Sequence, residues 1–187
     1  MGERRMRFYL IVAMICFMTA AASAAEDVGR TQSVKDIYTL GSGDRVRVTV
    51  YGESDLSGEF DISGSGEIAY PLVGEVEASG KTVRELEKLV AMKLRDGYLE
   101  KPKVSIEVVN YRPFYILGEV KRPGSYAYVE GMTIVNAVAM SGGFTYRARK
   151  ENFYVRRAGA PKDSEVRARP DDYLYPGDVI RVPERFF

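Results

Sequence analysis

Leu40-Gly-Ser-Gly-Asp-Arg-Val-Arg-Val-Thr-Val-Tyr51 is the stretch on which the fold turns. From Arg45 onward the residues alternate, placing Val46, Val48 and Val50 on one face and Arg45, Arg47 and Thr49 on the other, as a half-buried strand requires. Gly41-Ser-Gly-Asp44 is the turn that feeds this strand. The same device returns near the other end of the chain. Leu174-Tyr-Pro-Gly-Asp-Val-Ile-Arg-Val182 repeats the leucine, the Gly-Asp pair, an aliphatic residue and Arg-Val at identical spacing. A tight turn launching a strand accounts for both: the aspartate bonds nearby backbone amides and the leucine enters the core. Gly43, Asp44, Gly177 and Asp178 are therefore expected to be structural.

Between these two turns the pattern alternates between strands and helices. Phe60 and Ile62, then Ile68 and Tyr70, flank Ser63-Gly-Ser-Gly66 and predict a hairpin whose second strand ends at Pro71. Thr82-Val-Arg-Glu85 is a capping box, and Val83, Leu86, Leu89, Val90 and Leu94 form one apolar stripe ending at Gly97. Val104, Ile106 and Val108 alternate as a closing strand. Residues 38–112 thus read as a β-rich α+β unit with one packed helix. Residues 113–187 read as a second, β-grasp-like unit. It opens on a strand, Phe114 to Gly118, and turns at Pro123-Gly124, whose pairing predicts a type II turn. It returns through Tyr126 and Tyr128. A short helix follows from Ile134 to Met140, capped by Thr133 and stopped by Ser141-Gly142-Gly143, and then strands at residues 152–157, 166–168 and 179–182.

Ahead of these units, the first 24 residues read as a cleavable secretory signal. Arg4, Arg5 and Arg7 make a positive start, Phe8 to Thr19 an apolar middle, and Ala20 to Ala25 the small residues of a cleavage site, with cleavage after Ala24 (Ala22-Ser23-Ala24) or after Ala25 both fitting. Residues 25–37 form a polar, flexible lead-in. Cys16, the one cysteine, belongs to the apolar middle and not to a lipoprotein site, because Ile15 stands where a lipobox needs a small residue. Removing the leader leaves 163 of 187 residues and moves the net charge from +1 to −1, since three excised charges are arginine and one is glutamate. So neutral a chain is not built to bind nucleic acid. Without cysteine it cannot be held by disulfides, and stability must come from a core or from oligomerisation.

The composition also narrows the chemistry. There is no histidine, which removes the commonest general base and metal ligand. No catalytic, metal or cofactor residue is assigned. Paired carboxylates remain as a hydrolase-type pattern, at Asp171-Asp172 and Glu53 with Asp55, by residue type alone. The glycine pairs at residues 64–66 and 142–143 lack the lysine and spacing of phosphate loops and read as turns. Residues 144–170 are locally basic, and Arg147, Arg149, Arg156 and Arg157 are candidates for contact with an acidic polymer or partner surface. The same side chains serve equally as a solvated or salt-bridged face. Tyrosines at 111, 115, 126, 128, 154, 173 and 175 suit sugar stacking as well as ordinary strand positions.

Tyr38 to Gly52, Gly66-Glu-Ile-Ala-Tyr-Pro-Leu-Val-Gly-Glu-Val76 and the helix at Thr82 together resemble the polysaccharide biosynthesis/export domain of outer-membrane exporters. Leu117-Gly118-Glu-Val-Lys-Arg-Pro123-Gly124-Ser-Tyr126, Thr133 to Thr145 and Leu174 to Arg185 resemble the SLBB (soluble-ligand-binding β-grasp) module that accompanies it. The resemblance implies a non-enzymatic, cofactor-free subunit of a homo-oligomeric ring that conducts capsular or exopolysaccharide across the periplasm. It also implies docking to an inner-membrane polysaccharide co-polymerase. Larger members carry an acylated cysteine, further SLBB modules and a C-terminal pore helix. A chain without them implies a separate outer-membrane β-barrel as partner. A monomeric periplasmic carbohydrate-binding or regulatory module is the rival expectation.

Overall fold

Alternation in the Arg45 segment becomes strand β1 (Arg45–Val50), with its three valines buried and its polar residues outward. A computed structural model describes residues 38–185. The leader, Cys16, the cleavage site and the lead-in to residue 37 lie outside the described residues. β1 is central in a three-stranded antiparallel sheet, flanked by β2 (Gly58–Asp61) and β5 (Val104–Asn110). Its outer face neutralises itself: Arg45 pairs with Asp61 at 2.6 Å, and Arg47 with Glu59 at 2.6 Å and Glu107 at 2.8 Å.

The predicted hairpin across Ser63–Gly66 is corrected by the strand pairing. β2 hydrogen-bonds to β1, while β3 (Glu67–Tyr70) pairs with β4 (Gly74–Glu77) in a hairpin of its own. Pro71 ends β3 and Leu72 takes a left-handed φ of 66°, so the chain reverses there and leaves β3 a partner that the alternation upstream could not reveal. Helix α1 (Val83–Arg95) carries the predicted capping box: Thr82 N donates to Glu85 Oε2 at 2.8 Å, and Glu85 N to Thr82 Oγ1 at 3.3 Å. That backbone bond holds the Glu85 carboxyl below its ordinary pKa. Leu86, Val90 and Leu94 are fully buried against Val46, Val48 and Ile68, each contributing about 1.5–3 kcal/mol. Gly97 (φ 97°) lets Tyr98 N and Leu99 N return to the Leu94 carbonyl.

The second half is a five-stranded sheet in the order β7-β6-β10-β8-β9: β6 (Phe114–Gly118), β7 (Gly124–Tyr126), β8 (Phe153–Arg156), β9 (Val166–Ala168) and β10 (Val179–Val182). β10 runs parallel to β6 and antiparallel to β8. Helix α2 (Ile134–Met140) contributes Ile134, Ala137 and Val138 to the core. At its start Thr133 N and Oγ1 both donate to Asn136 Oδ1, at 2.9 Å. Gly142 (φ 85°) and Gly143 (φ 91°) end it. The type II turn predicted at Pro123-Gly124 is not formed. Gly124 is extended in β7, and the left-handed residue is Gly118 (φ 91°) at the end of β6. A Cβ on Gly118 would run into the Val182 carbonyl, so close approach of β10 reserves that position for glycine. The reversal is spread over residues 118–123 because Lys121 N and Arg122 N donate to the carbonyls of Gly143 and Ser141. Tyr128 lies past β7 and is buried against the second core.

Candidate functional site

The two echoed turns are built alike. Asp44 N donates to the Gly41 carbonyl at 3.1 Å across Gly43 (φ 91°), and Asp178 N to the Tyr175 carbonyl at 3.2 Å across Gly177 (φ 81°). Each aspartate then reaches back three residues to an amide, Gly41 N at 2.8 Å and Tyr175 N at 2.9 Å. Both carboxylates are buried, Asp44 at 0% and Asp178 at 1% exposure. Buried charge needs a partner, and each has an arginine: Arg112 on Asp44 and Arg157 on Asp178.

Arg112 is the residue that the sequence reading missed. It lies in the link between the two halves, and its backbone N donates to Asp44 Oδ1 at 2.8 Å while Nη1 donates to Asp44 Oδ2 at 2.9 Å and to the Tyr38 hydroxyl at 3.1 Å. Tyr38 in turn donates to Asp44, and burial raises the pKa of its hydroxyl. Gly41 and Gly177 both face the Arg112 side chain so closely that a Cβ on either would collide with it. The two turns therefore close on one guanidinium. Beside it, Tyr111 meets Tyr38 and Tyr128 edge-on, both at 5.3 Å, and packs on both cores. Burial pushes the Tyr111 hydroxyl up to about 12. The one sequence signal for Arg112 was its position, a cation in the short link between two segments that each hold a turn aspartate.

Tyr38, Thr39, Arg112, Arg157, Ala158, Tyr175, Pro176 and Asp178 line a cleft of about 250 Å³ at this junction. The Arg157 guanidinium stacks over the Tyr175 ring, 4.8 Å from its centre. Burial raises the Asp178 carboxyl above its ordinary pKa, opposed by bonds from Tyr175 N and from Arg157.

The four basic candidates occupy three settings. Arg147 is paired with Glu184, and Arg149 is exposed in the same loop, its backbone N bonded to the Pro183 carbonyl. Arg156 lies on the open face of the five-stranded sheet, near Tyr154 and Arg181, and adds to the pull of Arg181 that lowers the Glu165 carboxyl. Arg157 belongs to the junction. Gly118, Gly142 and Gly143 stand at left-handed positions, whereas Pro123 and Gly124 lead into β7. Of the carboxylate pairs, Asp172 accepts from Arg169 N at 2.7 Å and, with Asp171, borders an open groove of about 760 Å³. Glu53 and Asp55 are exposed around the 3-10 turn Ser54–Leu56. Among the described residues no group of histidine, cysteine, aspartate or glutamate has the arrangement of a metal site.

Two family models match the chain in succession. Polysaccharide biosynthesis/export protein covers residues 32–109 and the SLBB domain covers residues 113–168. Arg112 lies between them, and Tyr175 and Asp178 lie beyond the second. The exopolysaccharide production protein ExoF of Rhizobium meliloti is 32% identical over 160 residues, covering 77% of this chain and 38% of that protein. The polysialic acid transport protein KpsD of Escherichia coli is 29% identical over 119 residues, covering 63% of this chain and 21% of that protein. The chain thus spans well under half the length of these relatives. With both models in order across the described fold, and with relatives of the same kind, the chain belongs to the polysaccharide biosynthesis/export family as a member with one SLBB domain.

Proposed function

We propose that this chain is a non-catalytic subunit of a polysaccharide-export machine. Its leader directs it to the periplasm, where copies assemble into a ring that keeps a hydrated polymer solvated on its way to a separate outer-membrane β-barrel. An inner-membrane co-polymerase delivers that polymer. The observation that carries the reading is the succession of export and SLBB segments, supported by relatives whose names specify exopolysaccharide production and polysialic acid transport. The mechanism asks for no covalent step. A polar lumen lowers the barrier to passage, and weak contacts repeated around a ring hold the chain without trapping it. No helix among the described residues is long and apolar enough to cross a membrane.

Electron microscopy and native mass of the purified protein, beside secreted polysaccharide in a strain lacking it, test this reading. Rings and loss of secreted polymer are expected. A persistent monomer together with unchanged secretion would sink it, and a monomer with glycan affinity would favour the carbohydrate-binding rival.

A further inference from the structure

We infer that the junction cleft is a subsite for one acidic sugar residue, its carboxylate held by the Arg157 guanidinium beside Arg112 and its ring against Tyr175. The inference rests on the export reading only in supposing that the chain meets a polysaccharide.

A guanidinium carries five N–H donors and no acceptor. Hydrogen bonds among the described residues account for Nη1 alone in each arginine: Arg112 Nη1 serves Asp44 and Tyr38, and Arg157 Nη1 serves Asp178 and the Tyr173 carbonyl. The acceptors at the cleft are already engaged, since Asp178 receives Tyr175 N as well as Arg157, and Asp44 receives three donors besides the Tyr38 hydroxyl. The lining therefore offers cationic donors and few acceptors. That selects an acceptor-rich ligand, and a carboxylate, which matches the guanidinium fork, is the best of these.

The remaining walls suit a sugar. Tyr175 and the exposed Ala158 present apolar surface to the C–H face of a pyranose, with the buried Tyr38 and Pro176 behind them. At about 250 Å³ the cleft falls just below the roughly 300–1,000 Å³ of small-molecule sites, which limits it to a single residue of a polymer. Two guanidiniums stand against two carboxylates, so a single residue binds weakly. Weak binding suits a site that a moving polymer visits and leaves.

The test is calorimetric titration of the purified chain with trigalacturonate and with its fully methyl-esterified form, which keeps the rings and removes the charge. The acid is expected to bind at least tenfold more tightly than the ester. Arg157→Gln should erase that preference, and Arg156→Gln, which alters a neighbouring arginine outside the cleft, should keep it. Because Arg157→Gln leaves Asp178 buried without its cation, Thr39→Trp serves as a second variant that obstructs the exposed rim without touching either ion pair. It too should lose the preference while remaining folded. Equal affinity for acid and ester, absence of binding, or a preference that survives both cleft variants overturns the site. A chain that forms rings and supports secretion yet shows no acid preference defeats the subsite alone, whereas acid binding by a persistent monomer defeats the ring reading alone.

Discussion

The turns at Gly41–Asp44 and Tyr175–Asp178 share a backbone, a buried aspartate and an arginine partner, yet they sit differently in solvent. The Arg112 side chain is 17% exposed and the Arg157 side chain 42%. The first turn is a closed lock: Asp44 accepts from Gly41 N, from the Tyr38 hydroxyl and from both backbone and side chain of Arg112. The second is half open, with Arg157 spread over Tyr175 and reaching the cleft. One local device thus serves two ends, holding the link between the halves at Arg112 and presenting a cation at Arg157.

The largest expected break in that pairing comes from the aspartates. Asp44→Ala strands a mostly buried guanidinium and two backbone amides, and should cost about 3–5 kcal/mol. Asp178→Ala should cost about 1–2 kcal/mol, because Arg157 can turn to water and chiefly the Tyr175 amide is orphaned. Urea unfolding of the two variants checks the ranking, and equal losses would mean that the two turns are energetically the same.

Next come the glycines. Gly43→Ala meets only ordinary contact with the Arg112 Cβ at 3.6 Å, so its cost is that of a left-handed alanine, about 1–2 kcal/mol. Gly177→Ala carries the same strain and also overlaps Arg112 Nε at 2.7 Å and the Ala158 Cβ at 2.9 Å, adding about 1–3 kcal/mol of overpacking. Thermal unfolding should place Gly177→Ala clearly below Gly43→Ala; the reverse order would mean that Arg112 is not held between the turns.

The smallest effect is the pH dependence of Asp178. Its carboxyl binds a proton more tightly in the folded chain than at its ordinary value of 3.8. The folded state therefore holds more protons than the unfolded one between those two values, so this group's contribution to stability falls as pH rises from about 3.8 through the raised folded value, and is level above it. Asp61, Glu77 and Glu165, held low by hydrogen bonds from Arg45, Lys81 and Arg181, tilt the whole curve the other way. The informative quantity is wild type minus Asp178→Asn, measured by urea unfolding at closely spaced pH. It should decline across that window, and a flat difference would show that Arg157 fully offsets the burial.

Strand β1, both helices and the second half's later strands were legible because period-two and helical periodicity, capping residues and terminating glycines are written locally. The fate of Ser63–Gly66 was not, since β3 could pair back to β2 or onward to β4, and only the reversal at Pro71–Gly74 decides between them. Pro123-Gly124 misled for a similar reason. That dipeptide permits a type II turn, but bonds from Lys121 and Arg122 to the end of α2 draw the chain into a wider path. The basic candidates chosen by charge divided according to partners that no local pattern encodes: Glu184 for Arg147 and Asp178 for Arg157.

By itself the sequence determined the two turns, since Gly-Asp ahead of an alternating strand allows few other backbones, and it determined the absence of histidine chemistry by composition. Only the tertiary structure decided that both turns converge on Arg112 and that Arg157 opens onto a shared cleft. Asp44 and Asp178 are 134 residues apart, and nothing local brings them together. Packing through Tyr111 does, because a buried carboxylate requires a cation and the chain supplies one at the point where its two cores meet.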